Sequence, residues 1–285
     1  MPLAQATINN TAYRPSIILT SVTFVVSAYY SIFKFLPHLK DIRNTPFTAN
    51  SFFVIVFWAA FTLSQFLFLF KVTRDQISIP SHAFLSHLTM FNILHLAWVL
   101  LLLRRFYLIA EILVLANFVN VLSFYVSERS YRTKTGLLYV HLPLSSFPFT
   151  WLFYTILWNG FLIFTTRDGR GHDHENEFGL AARILSNMLI FEYLFVPFVL
   201  LLLYKDWTFG ILLSFLVFGI GLDQVLVKVI ALQWIFAFII ATVVFLLSIV
   251  VLFNQVKSNN PETPIASGGG GDANQRGSET EPLLA

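Results

Sequence analysis

Eight long apolar runs constrain this chain more than any other feature. They lie at about 16–36, 51–70, 88–103, 106–126, within 138–165, and at about 182–204, 207–222 and 233–253. A helix needs about 20 apolar residues to cross the hydrocarbon core. No water reaches that depth, so every backbone N–H and C=O must pair within a helix or a closed barrel. The runs are continuous rather than alternating, which selects helices over a barrel. The expected fold is therefore all-α: a polytopic transmembrane helical bundle of about eight spans. The runs at 88–103 and 207–222 are short enough to be tilted or re-entrant.

Composition agrees. The chain is 56% hydrophobic and 12% charged, with 32 phenylalanines, whereas a soluble domain carries about 25% charged residues. The lipid bilayer is the expected partner. A net charge of +3, spread along the chain, argues for no nucleic-acid partner. With no cysteine, disulfides, thiolate catalysis and Cys-based metal sites are excluded.

Three regions follow. Residues 1–15 are a polar N-terminal segment, 16–255 the transmembrane helical domain, and 256–285 a tail of Gly, Ser, Pro and acid that is expected to be disordered. Eight spans put both ends on one side. Lys and Arg divide nine to nine between the two sides, so the positive-inside rule sets no orientation. Nothing in the sequence sets the oligomeric state.

Polar groups inside the spans are the candidates for function. The run "FYLIAEILVLANFVNVLSFYV" carries Glu111, Asn117 and Asn120. Glu192 lies deep in the sixth run, after Asn187 and before Pro197, and a proline inside a helix removes a hydrogen bond and bends it. An intramembrane acid is a functional candidate by default. Glu192, Asn187, Glu111, Asn117 and Asn120 are therefore the expected lining of a solute site. Glu111 has a competing role, an interfacial pair with Arg104 and Arg105. Asn117 and Asn120 share a helix face, as do Asn92 and His95, and these faces can instead join helices by hydrogen bonds. In "HLPLSSFPFTWLFYTILWNG", Pro143 and Pro148 imply an irregular entry into a helix. Trp151 and Trp158 form one stripe there, either packing aromatics or the wall of a pocket for an apolar or lipid-like ligand.

No acid–base pair or Ser-His-Asp set stands out, so no catalytic residue and no cofactor is assigned. "GHDHENE" at 171–177 offers ligand types, but H-x-H in a loop lacks the helix that makes such spacing a metal site; no metal is expected. "GGGG" at 268–271 lacks the Lys-Ser/Thr of a phosphate loop. In the tail, "ETEPLL" fits an acidic dileucine sorting motif, with Glu279, Leu283 and Leu284 as its determinants. It would bind a clathrin adaptor and so place both ends in the cytosol. Asn9, in the sequon "NNT", matters only if the N-terminus is lumenal.

The order of spans, "HLPLSSFPFTWLFYTILWNG" and "NILHLAWVLLLLRR" resemble an uncharacterised family of fungal multi-pass membrane proteins, over about residues 16–255. A fainter similarity is to the tryptophan-rich sensory (translocator) proteins, through Pro148, Trp151 and Tyr154. That family has five spans, and no ligand or site is carried over from it.

The expectation is an endomembrane protein, vacuolar by its dileucine signal, that binds or transports a small or lipid-like solute. The alternative is a non-catalytic scaffold or trafficking factor whose polar residues only join helices.

Overall fold

The computed structural model describes residues 13–42, 44–74, 82–127, 138–166, 180–227 and 233–259. Among these there is no strand. Helix α1 (Arg14–Tyr30) continues through a π-helical turn, Ser31–Phe35, and a 3-10 turn, Leu36–Asp41. Then come α2 (Ser51–Thr73), α3 (His82–Leu103) and α4 (Tyr107–Ser127). A short α5 (Leu138–His141) passes through a second π-helical turn, Leu142–Ser146, into α6 (Phe147–Thr166). Helices α7 (Leu180–Leu189) and α8 (Glu192–Tyr204) share one span, followed by α9 (Trp207–Val227) and α10 (Gln233–Asn259). Among the described residues, eight stretches are long and apolar enough to cross a membrane. The protein is an integral, multi-pass membrane protein with an all-α bundle.

The two runs that look short in sequence are full helices, because their polar ends are held by neighbours. α3 starts at His82, and its His87 bonds to Asn120 of α4 at 2.7 Å. α9 reaches Val227, with Gln224 donating to backbone carbonyls of the α1–α2 loop. Pro197 stays inside α8, and the span breaks earlier, at Ile190 and Phe191. There the chain tightens: Phe191 N–H reaches Met188 O and Tyr193 N–H reaches Ile190 O, both at 3.2 Å. The irregular entry implied by Pro143 is the π-helical turn at Leu142–Ser146.

Two reversals are tight. α3 turns into α4 through Arg105 (φ 63°), and α8 into α9 through Lys205 (φ 52°), each in the left-handed conformation that ends helices. Asn50 caps α2 by accepting from Phe52 N–H at 3.1 Å. Asp206 does the same for Phe209 N–H of α9 at 3.2 Å.

α6 is the central rod. Of its span, 72% is buried, against 28% for the first and last spans. It packs on α4 and α9, while α3 packs on α1 and α4, and α10 on α9. The core is aromatic. Phe35, delivered by the π-helical turn after α1, lies 5.4–6.5 Å from Trp58, Trp98, Trp151 and Trp158. His95 stacks on Trp58 at 4.7 Å and bonds Ser31 Oγ at 3.1 Å. The outer surface is the reverse of a soluble protein's, with Ile18, Leu203 and Phe253 each more than half exposed. That surface faces lipid.

Candidate functional site

The short connection between α1 and α2, "NTPFTAN" at 44–50, turns inward. Thr45, Phe47 and Ala49 are buried. Buried backbone polar groups are normally paired, and protein groups meet several of them here. Gln224 Nε2 donates to Thr45 O and Pro46 O at 3.1 and 3.2 Å. Asn50 N–H donates to Gly219 O at 3.0 Å, and Ala49 N–H to the Tyr154 hydroxyl at 3.1 Å. Phe47 packs between Phe161 and Tyr193. The approach to α9 needs Gly219, where a Cβ would meet Phe53 Cβ at 2.8 Å and Ala49 Cβ at 3.4 Å.

Beneath this loop is a cavity of about 300 Å³. Its wall on α6 is Trp151, Tyr154 and Trp158, which one helical stripe brings together. Tyr154 and Trp158 stack at 6.0 Å and 18°. Asp223 of α9 forms another wall, and Lys40 and Asn50 lie at the loop side. Trp151 and Trp158 are buried, yet among the described residues their indole N–H groups find no acceptor and the buried Asp223 Oδ2 finds no donor. Buried polar groups of this kind are normally paired. The lining thus combines closely packed aromatic residues with the half-buried Asp223 and the exposed Lys40. Asp223 is near the C-terminal end of α9 and Asn50 precedes α2, so the cavity lies toward the side opposite the chain ends.

A second polar cluster sits at the other end of the bundle. Asp206, buried between α8 and α9, accepts from the Tyr125 hydroxyl at 2.8 Å and pairs with His141 Nε2 at 3.1 Å. Its other oxygen accepts from Thr208 at 2.5 Å. Burial alone would raise this carboxyl. The charge and hydrogen bond of His141 and the hydrogen bonds of Thr208 and Tyr125 outweigh it and hold Asp206 well below the usual carboxylate range.

The residues singled out from sequence do not form one group. Glu111 accepts from Asn159 Nδ2 of α6 at 2.7 Å, while Arg104 and Arg105 are exposed; its partner is an amide, not the expected arginines. Asn120 donates to His87 O at 3.2 Å and also bonds the His87 ring. Asn117 donates to Phe91 O at 3.2 Å. Asn187 is half-buried, and Glu192, at the start of α8, is exposed on the outside of the bundle. Trp151 and Trp158 do line the cavity. Sequence reasoning passed over Asp223, and it named Tyr154 only in the translocator likeness, not as a site residue. The signal for Asp223 was an acid directly after "GIGL", which reads as the end of a span. No group of three or more His, Asp or Glu residues suited to a metal occurs among the described residues. "GHDHENE", the sequon and the tail with Glu279, Leu283 and Leu284 lie outside the described residues.

Residues 183–284 match the model of a family described as "Fungal protein of unknown function (DUF1774)". The fungal likeness expected at 16–255 is thus found over the last part of the chain, and it takes in the tail. No curated protein and no solved structure matches the chain.

Proposed function

We propose that the protein is an endomembrane protein, vacuolar in location, that binds or carries a small solute in the cavity beneath the α1–α2 loop. One observation carries this reading: a cavity whose lining brings the Trp151–Tyr154–Trp158 stripe of α6 together with Asp223 of α9 and Lys40 beside the loop. Small-molecule sites are concave and begin at about 300 Å³, and the lining of this one exposes more polar than apolar surface, which suits a small polar solute. The dileucine signal Glu279, Leu283 and Leu284 supports the location. A clathrin adaptor reading it would fix the ends in the cytosol and face the cavity to the lumen.

The chain has no cysteine, so Ser51→Cys gives a single thiol at the cavity wall. Its rate of maleimide labelling should fall in the presence of one pool of small solutes among amines, carboxylates and polyols. A rate indifferent to every pool would defeat the proposal.

A second reading is a non-catalytic scaffold or trafficking factor. It is favoured by the pairs Asn120–His87, Asn117–Phe91 and Glu111–Asn159, which join α3 to α4 and α4 to α6. Under it, removing these groups alters stability and leaves Ser51→Cys labelling indifferent to solutes.

A further inference from the structure

We infer that the outer face of the sixth span is a self-association surface, on which a second copy of this chain pairs through Glu192. The inference stands apart from the cavity, since no residue of α7 or α8 lines it.

Glu192 lies at the middle of the apolar stretch Ala182–Tyr204, and it is exposed on the outside of the bundle. No described residue bonds to or pairs with its carboxyl. Acids within a span almost always face the bundle interior or a water-filled cavity and are paired there. Hydrocarbon offers a carboxyl neither donor nor acceptor. The sequence suggests an internal site for Glu192; the fold turns it outward and leaves its partner to be supplied by another chain.

The residues around Glu192 fit a helix rather than a small molecule. α8 packs on α9 and α10, and its inner face buries Tyr193, Pro197, Leu200 and Leu201. Phe195, Val199 and Leu202 are exposed. They follow Glu192 at steps of three, four and three residues, and Met188, also exposed, precedes it by four. Alternating steps of three and four are the a and d positions of a heptad seam. At that spacing two helices interlock their side chains at a crossing of about 20°. Glu192 occupies one position of the seam.

A second copy meets both requirements at once. A carboxyl that holds its proton has one O–H donor and a free acceptor, so two of them facing each other are mutually satisfied. A two-fold axis brings a residue against its own copy. The same operation lays the seam of one copy along the seam of the other. Polar side chains that bond across helices hold membrane bundles together in this way.

The chain has no cysteine, so single thiols report the contact. The full-length protein is reconstituted in phosphatidylcholine vesicles and oxidised with copper phenanthroline. Phe195→Cys and Val199→Cys should give disulfide-linked dimers, whereas Val25→Cys, exposed on α1, should not. Adding Glu192→Leu to Phe195→Cys should lower by about tenfold the lipid-to-protein ratio at which the dimer is half lost, the order of one interhelical hydrogen bond, at unchanged melting temperature. Glu192→Gln keeps a donor and an acceptor and should retain most of the dimer. Monomer at every lipid ratio, dimers indifferent to Glu192→Leu, or equal crosslinking at Val25→Cys would each overturn the inference. So would Phe195→Cys crosslinks in native membranes to a different membrane protein in place of the dimer.

Discussion

The hydroxyl of Tyr154 accepts the backbone N–H of Ala49 at 3.1 Å, tying the central helix α6 to the inward loop before α2. One contact thus links a cavity wall to the segment that closes over it. Both groups are buried.

Removing that acceptor should loosen the loop. A buried N–H left without a partner costs about 1–3 kcal/mol. Tyr154→Phe is expected to lower the melting temperature in detergent by that equivalent and to raise the labelling rate of Ser51→Cys. Unchanged labelling would show that the loop is held by its other bonds alone.

Gly219 makes the opposite test, by crowding. An added Cβ would lie 2.8 Å from Phe53 Cβ, and overpacking typically costs about 1–3 kcal/mol. Gly219→Ala should push α2 and the loop away from α9, destabilise the protein and expose Ser51→Cys. Full stability with protected labelling would contradict this packing.

Asp206 gives a pH dependence with a defined sign. Its carboxyl is held below the value of about 3.9 that it has in an unfolded chain. The hydrogen-bonded Asp206 carboxylate therefore contributes stability above that value, and the contribution is lost as pH falls through the folded-state value. Removing one partner of a buried pair costs about 3–5 kcal/mol. Asp206→Asn should destabilise by that order at neutral pH, with the gap to wild type closing only in strong acid. A gap independent of pH would place the effect in packing instead.

The amides of α4 should behave as joints between helices. Asn120 makes two bonds to His87, each worth about 0.6–2 kcal/mol in a membrane bundle. Asn120→Leu should lower the melting temperature while leaving solute protection of Ser51→Cys unchanged. Loss of protection without loss of stability would move Asn120 into the solute site.

Much of the architecture was legible because membrane depth allows few solutions. Continuous apolar runs specify helices, and the spacing of Trp151 and Trp158 specifies a shared stripe. What escaped depends on distant partners. "NTPFTAN" reads as a polar connector, yet it is buried because Gln224, far along the chain, meets its carbonyls. Asp223 reads as an interfacial acid at a span's end and becomes a cavity wall only once that loop folds over it. Glu111 has two arginines near it in sequence, and its partner is Asn159, 48 residues away. Asp206 sits in an ordinary-looking "YKDW" turn, and only tertiary packing brings Tyr125 and His141 onto it.

Native mass spectrometry of the full-length protein, equilibrated with a fungal small-molecule extract and compared with Trp158→Ala, tests the solute cavity most directly. A small-molecule adduct on the wild type that is absent from an equally stable Trp158→Ala is the expected result. Bare wild-type protein, or the same adducts on both, would contradict a solute site at the Trp151–Tyr154–Trp158 wall.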